Sequence, residues 1–423
     1  GGAGLALTAA AVLTAAPTAA SAAEEFAQIK RPPQFVVISF DNGRELRKWR
    51  ELRLWARDLE RRGKPTKFTF FVSAANFLSY AERRRYKPPR LRAGRSNIGF
   101  GGTAVDVRDR VSAINAIIAD GHEFGSHAVG HFRGGKGRCF KGAGVTCGAN
   151  WTLNEWLYEH RVFEQLMADV ARNLGAADEA VATIETNKPT FDPVLHRDMI
   201  GFRAPHLSIN AAMFDGLKRR GFRYDASWAT GAAIDAWPVR HTTGLWLFKL
   251  PRLSAKTMVG RPARGRTLAM DYNFCARDTA RHGHTCIRIN RSAQNRDRFG
   301  RQMLATYLAY FRQIYAGNRA PIHIGHHFSE FQAGTYHRAL IAFVEAVCGQ
   351  PEVRCVTYRE LTRYMDRLSD GERRALQAGQ FVKRPAPQFD LDAAWKSGQP
   401  SAQTVPLPVR RFGAARPTRP SPG

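Results

Sequence analysis

The feature that most constrains the fold is a series of short, continuous apolar runs that alternate with segments of helical periodicity. The first run covers residues 35–40 (FVVISF) and the second covers residues 68–72 (FTFFV). A run that is apolar throughout, rather than at every second position, indicates a strand buried on both faces. The segment between them places Leu46, Trp49 and Leu52 on one side of a predicted helix. Strand, helix and strand in this order predict a βαβ unit and a parallel sheet.

The same alternation continues along most of the chain. A predicted helix at 110–120 leads into a third strand at 122–127, and Thr152 and Glu155 form a capping box before a long amphipathic helix. We therefore expect an α/β protein, either a barrel or a doubly wound sheet. The other predicted strands cover residues 199–202, 222–224, 245–250, 322–324 and 353–356, and the other helices 300–315 and 335–347. Stretches expected to be loops around one rim cover residues 73–109, 132–150 and 255–295.

The two ends of the chain differ in composition from its centre. Residues 1–23 carry no charge and end in small residues, which is typical of a secretory signal whose start is missing. A single membrane anchor is the alternative, although Pro17 and the many small residues make the run short for a span. We expect an exported protein, periplasmic, in the cell envelope or extracellular, with no transmembrane span in the mature chain. Residues 371–423 are expected to form a basic, Pro- and Arg-rich flexible tail, which leaves residues 34–370 as the folded domain.

Six cysteines agree with export, because they fall into three pairs of close neighbours. The simplest connectivity joins Cys139 with Cys147, Cys275 with Cys286, and Cys348 with Cys355, although the sequence alone allows other pairings. A structural zinc held by Cys275, His282, His284 and Cys286 is the alternative, but this spacing matches no common zinc module.

The chain is strongly basic, with 64 Lys and Arg against 36 Asp and Glu and a formal net charge of +28. Such a charge favours polyanions. No signature of a nucleic-acid-binding fold accompanies it, so no specific nucleic acid is expected as a partner. Anionic cell-envelope polymers are the expected partners of the basic surface, unless many of these arginines simply form a solvated face.

Polar motifs follow several of the predicted strands. In chain order they are Asp41-Asn42-Gly43, Ser126-His127 with His131, Arg203-Ala204-Pro205-His206, Asp225-Ala226-Ser227-Trp228 and Ile324-Gly325-His326. The carboxyl ends of parallel strands meet at one rim, so we expect these motifs to lie close together. Hydrolysis of an amide needs an activated water, a polarised carbonyl and a proton donor, and these side chains can supply all three.

The order and chemistry of these motifs resemble those of the polysaccharide deacetylases, the NodB-type group of carbohydrate esterase family 4. The resemblance spans about residues 34–365. It implies a distorted (β/α)7-type barrel with rim insertions. The implied activity is metal-dependent removal of N-acetyl groups from the aminosugars of a polysaccharide that is chitin-like, peptidoglycan or an exopolysaccharide. The implied metal is divalent, usually zinc, with cobalt or a similar ion as the alternative.

The resemblance also assigns a role to each motif. Asp41 is expected to be the general base, and Arg203 to keep it ionised. His326 is expected to be the general acid, oriented by Asp225. The expected metal ligands are His127 and His131, on one face of a helical turn, and the side chain of Asn42. The expected substrate contacts are Pro205, His206, whose backbone N–H is an oxyanion donor, and Trp228.

Each assignment has a structural alternative. Asp41 could cap the helix that follows it, and Trp228 could be an ordinary core residue. His323 and His327 could be confused with His326, although in a strand His326 points to the face opposite both.

Position 42 departs from the family, which usually has a second Asp there. An amide oxygen can coordinate a cation but carries no charge, so the metal site is expected to be weaker. Asn42 could ligate through its carbonyl oxygen, water could replace it, or the site could have lost its metal. We favour ligation by Asn42, because Asp41, Arg203 and His326 are all retained.

Three other functions remain open at this stage. A noncatalytic glycan-binding protein on the same scaffold is motivated by Asn42. A basic envelope or nucleic-acid-binding protein is motivated by the charge and would bind DNA in a salt-sensitive way. The same site could also hydrolyse O-acetyl esters.

Overall fold

The structure is a computed structural model that describes residues 29–136, 150–168, 199–231, 233–254, 266–280, 286 and 289–398. The strands are β1 (Gln34–Asn42), β2 (Phe68–Val72), β3 (Glu123–Ser126), β4 (Gly201–Phe202), β5 (Tyr224–Asp225), β6 (Val239–Arg240), β7 (Trp246–Leu247), β8 (Arg252–Ser254), β9 (Arg266–Leu268), β10 (Ile322–His327) and β11 (Val353–Cys355). The helices are α1 (Leu46–Arg61), α2 (Ala104–Ala119), α3 (Leu153–Ala168), α4 (Ala211–Arg219), α5 (Asp271–Ala280), α6 (Ala293–Ala316), α7 (Thr335–Val347), α8 (Tyr358–Arg367), α9 (Asp370–Ala378) and α10 (Leu391–Ser397).

A nine-stranded sheet forms the centre of the molecule, in the order β10-β1-β2-β3-β4-β5-β7-β6, with β11 beside the start of β1. All of its pairings are parallel except that of β6 with β7. The mixed α/β class with a central parallel sheet is therefore as predicted. The parallel order brings the carboxyl ends of β1, β2, β3, β4, β5 and β10 to one rim.

The sheet is curled into a half-barrel, and the full (β/α)7 barrel implied by the sequence is not confirmed. A separate antiparallel pair, β8 with β9, follows β7 in the chain. Its end reaches β10 through one isolated bridge between Met270 and Gly325, where the Gly325 N–H donates to the carbonyl of Ala269 at 2.9 Å. Within the described ranges, this single bridge replaces the continuous ladder that a closed barrel requires.

The two faces of the sheet are buried against different layers. On one face, Trp49 of α1 packs on Phe70 with ring centroids 4.6 Å apart, and Phe70 stacks on Phe40. On the concave face, Phe71, Tyr224 and Tyr358 form an aromatic cluster below the rim. Burial on both faces explains why β1 and β2 are apolar throughout rather than alternating.

Capping residues explain where two helices begin. Thr152 and Glu155 form the predicted capping box before α3. A second box, Thr103 with Asp106, starts α2 six residues before the predicted position. Such boxes satisfy N–H groups that the first helical turn leaves unpaired.

The folded part of the chain extends beyond the boundary that the sequence predicted. Residues 371–398 contain most of α9 and all of α10, and α10 packs against α6 and α7. Trp395 of α10 is buried, and its indole N–H donates to Asp297 at 2.8 Å. The prediction of a flexible tail was therefore wrong for residues up to 398, because one buried Trp anchors a short helix that has little periodicity of its own. Residues 399–423 and the predicted signal at 1–23 lie outside the described residues.

Two of the three expected disulfides are present, Cys275 with Cys286 and Cys348 with Cys355. The Cys275–Cys286 bond rules against the alternative zinc site, which needed both thiolates as ligands. Cys139 and Cys147, like His282 and His284, lie outside the described residues. In the part of the chain that the structure describes, no helix is both long and apolar enough to span a membrane.

Candidate functional site

Asp41 and Arg203 form a buried ion pair at the carboxyl ends of β1 and β4. Arg203 Nη1 donates to Asp41 Oδ1 at 2.8 Å and to the hydroxyl of Ser39 at 2.8 Å. The guanidinium also donates to the carbonyl of Ala226 and to the hydroxyl of Tyr358. Burial opposes the charge of Arg203, but Asp41 outweighs it and raises the pKa of the guanidinium. The predicted contact between Arg203 and Asp41 is therefore present, with the carboxylate held by a permanent cation.

The register of β1 with β10 places His327, not His326, beside Asp41. Asp41 is paired with His327 and Phe40 with His326 in this parallel ladder. Register partners project from the same face of a sheet, so His327 shares the concave face with Asp41. His326 lies on the helix-covered face, where its ring contacts Phe40 and its Nε2 lies 3.4 Å from the hydroxyl of Tyr307.

His327 has a carboxylate partner that the sequence analysis did not identify. Asp271, the first residue of α5, lies with its Oδ1 2.6 Å from His327 Nδ1 and accepts the His327 backbone N–H through Oδ2. Burial lowers the pKa of His327, but the charge and hydrogen bond of Asp271 outweigh burial and raise it. The His327 side chain remains 19% exposed, whereas Asp271 is buried. The arrangement is a protonatable imidazole on the concave face.

Asp225 does not orient His326. Its carboxylate accepts the hydroxyl of Ser227 at 2.5 Å and the Ser227 backbone N–H at 3.1 Å. Burial raises the pKa of Asp225 to about 7. The carboxylate nearest to His326 is Asp271, 3.6 Å away, and burial lowers the pKa of His326 to about 4. The predicted pairing is absent because Asp225 ends a strand on the far side of the sheet from β10.

His127 and His131 come together without the helical turn that the sequence predicted. Residues 127–131 form a loop, with Ala128 at φ 56° and His131 at φ 58°. The two ring centroids are nevertheless 5.0 Å apart. His127 follows β3 directly, and its Nδ1 lies 2.7 Å from the carbonyl oxygen of Arg203. A carbonyl only accepts, so Nδ1 carries the proton and Nε2 keeps its lone pair.

Left-handed backbone is concentrated at this rim. Of the eleven non-glycine residues with positive φ in the described ranges, five lie at or just after the ends of β1, β3 or β4: Asn42, Ala128, His131, His206 and Leu207. Such conformations cost free energy for residues other than glycine and cluster where a site needs a particular geometry.

A buried carboxylate on α3 supports the histidine loop. Glu159 accepts the backbone N–H of Val129 and the hydroxyl of Tyr86, each at 3.0 Å. Burial raises the pKa of Glu159 to about 7. Glu159 therefore fixes the backbone between the two histidines.

The predicted substrate contacts lie around the same rim. Pro205 and His206 belong to a short 3₁₀ turn after β4, and the ring centroid of His206 is 4.5 Å from that of His131. Trp228 is 36% exposed, so it is not an ordinary core residue. Its ring packs on Phe214, and Lys249 Nζ lies 5.8 Å from the ring centroid.

The donors at the rim are of types that a divalent metal of the expected kind can bind. Asn42 Oδ1 is a buried oxygen without a hydrogen-bond partner. Asn42 is paired with Val72, which is paired with Ser126, so Asn42 lies level with the residue that precedes His127. Burial lowers the pKa of His127 and, with neighbouring imidazoles, that of His131 well below its usual value, so both imidazoles are in the neutral form that can bind a metal.

The fit depends on two imidazoles and one amide oxygen. In the described part of the chain, no three His, Cys, Asp or Glu side chains form a metal-binding group. A set without an anionic ligand is expected to hold zinc or cobalt more weakly than one with an aspartate.

Asp271 and Glu159 were not found from the sequence, and His326 was preferred to His327 as the acid. The pattern offered one usable signal, namely that His323 and His327 share a face opposite His326. Asp271 lies within a stretch expected to be loop, and Glu159 is one of several acidic residues on an amphipathic helix. Nothing local marks either as buried.

No family model matches the chain, and no curated protein matches it. Among solved structures, the chain is similar to a Mycobacterium smegmatis protein whose name places it among the polysaccharide deacetylases. The two chains are 14% identical, with a TM-score of 0.43, and the match covers 86% of this chain and 97% of that one. A family 4 carbohydrate esterase from Streptomyces lividans, solved with acetate, shows 9% identity, a TM-score of 0.32 and coverage of 76% and 90%. A 4-alpha-glucanotransferase from Thermococcus litoralis shows 12% identity, a TM-score of 0.40 and coverage of 80% and 41%. Structural neighbours thus include polysaccharide deacetylases and family 4 esterases, at low identity and low TM-score.

Proposed function

We propose that this protein is a metal-dependent hydrolase that removes N-acetyl groups from the aminosugars of a polysaccharide. The observation that carries the proposal is the pairing of Asp41 with His327 on one face of adjacent strands. A carboxylate and a protonatable imidazole side by side are the base and acid that amide hydrolysis needs. Arg203 on Asp41 and Asp271 on His327 give the two groups opposite charges.

The reaction divides between these residues as follows. Asp41 takes a proton from the attacking water, whose oxygen forms a bond to the acetyl carbon. Arg203 holds the Asp41 carboxylate by an ion pair and aims it at the water. His327 donates a proton to the sugar nitrogen as the C–N bond breaks, which yields acetate and a free amine. Asp271 stabilises the protonated form of His327.

The metal ligands in this proposal are His127, His131 and Asn42. Bound there, zinc or cobalt would polarise the acetyl carbonyl and lower the pKa of a water molecule. The backbone N–H of His206 is the proposed oxyanion donor, and Pro205 and Trp228 the proposed substrate contacts. We also propose that the protein is exported and that its basic surface contacts anionic polymers of the cell envelope.

The test is acetate release by the full chain loaded with zinc or with cobalt, from chitin oligomers, peptidoglycan and acetylated exopolysaccharide. Asp41→Asn, which preserves the shape of the side chain, is expected to lower the rate about 100-fold or more. Absence of acetate from all three polymers, or equal rates for the native chain and Asp41→Asn, would contradict the proposal. An O-acetylated polymer in the same assay tests ester hydrolysis.

A noncatalytic glycan-binding protein is the second candidate, and the neutral Asn42 favours it. On that account the native chain binds glycans without releasing acetate. Asn42→Asp would then restore an anionic ligand and create activity where none existed. Activity of the native chain excludes this candidate.

A further inference from the structure

Tyr272 is an exposed aromatic side chain that borders the proposed site. In the described ranges most large apolar side chains are buried, but Tyr272, the second residue of α5, is 50% exposed. It lies outside every motif that the sequence analysis identified. Its ring centroid is 6.3 Å from that of His327, the proposed proton donor.

The position of Tyr272 is fixed by the same residues that fix His327. The backbone N–H of Tyr272 donates to Asp271 Oδ1 at 2.7 Å, and that oxygen also contacts His327 Nδ1. Phe331 packs against both rings, with centroids 5.7 Å from Tyr272 and 5.9 Å from His327. The exposed ring is therefore held at a constant distance from His327, and it loses little freedom when a ligand binds.

From this placement, we infer that Tyr272 is the floor of a sugar-binding subsite, which takes one pyranose ring of an N-acetylated glycan. The C–H groups on one face of a pyranose are apolar and slightly positive, and they complement the negative face of an aromatic ring. The phenol hydroxyl can also hydrogen-bond a sugar hydroxyl. The separation from His327 is about the width of one sugar ring, so the bound unit lies next to the reacting acetamide.

The inference rests on the proposed function, because it names the substrate contact of the same site. It predicts that affinity for a glycan depends on Tyr272, and this affinity is measured in a variant that does not turn over. The two proposals can therefore fail separately.

The test measures binding of chitotetraose, and of a soluble peptidoglycan fragment, by calorimetry in an Asp41→Asn background that does not turn over. Tyr272→Ala is expected to weaken binding about tenfold, and Tyr272→Phe to keep most of the affinity. Tyr80→Ala is the matched control, because Tyr80 is 61% exposed and its ring contacts Arg83 rather than His327. It is expected to leave binding unchanged.

Three results would overturn the inference. The first is native affinity in Tyr272→Ala, the second is an equal loss in Tyr80→Ala, and the third is no binding of either probe by the Asp41→Asn protein. With Asp41 intact, acetate release from chitotetraose supplies an independent readout, in which Tyr272→Ala should raise the KM and Tyr80→Ala should keep native turnover. Glycan binding that depends on Tyr272, without acetate release by the Asp41 form, would contradict the proposed function and support the subsite.

Discussion

Two carboxylate–cation pairs define the chemistry of the site at the scale of single residues. Arg203 holds the carboxylate of Asp41 in a buried ion pair, and Asp271 favours the cationic form of His327. The two pairs thus hold opposite charges on neighbouring strands. Asp41 can accept a proton at the pH at which His327 can donate one, and this is the condition for acid and base catalysis in one step.

Replacing Asp271 tests this charge arrangement. Asp271→Asn keeps an oxygen acceptor for the His327 N–H but removes the charge that raises the pKa of His327. An acid with a lower pKa loses its proton at a lower pH. The alkaline limb of the rate profile is therefore expected to move to lower pH by about 1 unit or more. The measurement is acetate release as a function of pH, and an unshifted alkaline limb would exclude His327 as the acid.

The sequence identified Asp41, Arg203, His127 and His131 because each follows a strand-like run within a motif. It did not identify His327, since the choice between His326 and His327 depends on which face of β10 is concave. That face is set by pairing with β1, whose residues are almost 300 positions away in the chain. Local patterns carry no information on such long-range register.

At the scale of elements, α3 supports the loop that carries the proposed metal ligands. Glu159→Ala would leave the Val129 N–H without its acceptor. We expect a loss of about 1–3 kcal/mol in the free energy of unfolding, together with weaker metal binding. Tyr86→Phe, which removes only one donor to Glu159, should cost about 1 kcal/mol. Urea unfolding and competition with a chelator measure the two effects, and native metal affinity in Glu159→Ala would show that the carboxylate does not position the loop.

Helix α10 provides a test of the boundary of the folded domain. Trp395 is buried, and the guanidinium of Arg338 lies 3.9 Å above its ring. Trp395→Ala is expected to lower the free energy of unfolding by about 3–5 kcal/mol. Val382→Ala is the control, since Val382 is 79% exposed. Thermal or urea unfolding distinguishes the two variants. Equal stability of both would show that residues beyond 370 do not contribute to the folded domain.

Strands and long helices were predictable because their patterns are local. β1 and β2 are continuous apolar runs, and α7 lies at the predicted position with a buried apolar face. The short helix α10 could not be predicted from the sequence, because seven residues give too little periodicity. Its stability comes from contacts with helices that are distant in the chain. The curvature of the sheet could not be predicted from the sequence either, since it depends on how two-residue strands such as β4 and β5 pair.

At the scale of the whole molecule, buried histidines should make the fold sensitive to acid. Among the histidines that the structure describes, burial lowers the pKa of eight, including His122 and His323 to about 3. Their unfolded pKa is about 6.5, so below that pH the unfolded chain binds protons that the folded chain does not. The contribution of these histidines to the free energy of unfolding is therefore present above pH 6.5 and is lost as the pH falls below that value.

Among the described residues, four carboxyl groups have the opposite effect on the pH dependence of stability. Burial raises the pKa of Glu123, Glu159, Asp225 and Asp278, so their contribution is present at low pH and lost as the pH rises through the folded pKa. The histidines are more numerous. We therefore expect the free energy of unfolding to decrease between about pH 7 and about pH 5. Urea unfolding at both values is the measurement, and equal or greater stability at the lower value would contradict this assignment.

We propose that the concave faces of β1 and β10 carry the reaction. Acetate release by His327→Gln and His326→Gln, each checked for native melting behaviour, tests this proposal most directly. We predict that His327→Gln lowers the rate about 100-fold or more while His326→Gln keeps at least about a tenth of it. Loss of activity in His326→Gln with retention in His327→Gln would contradict the account.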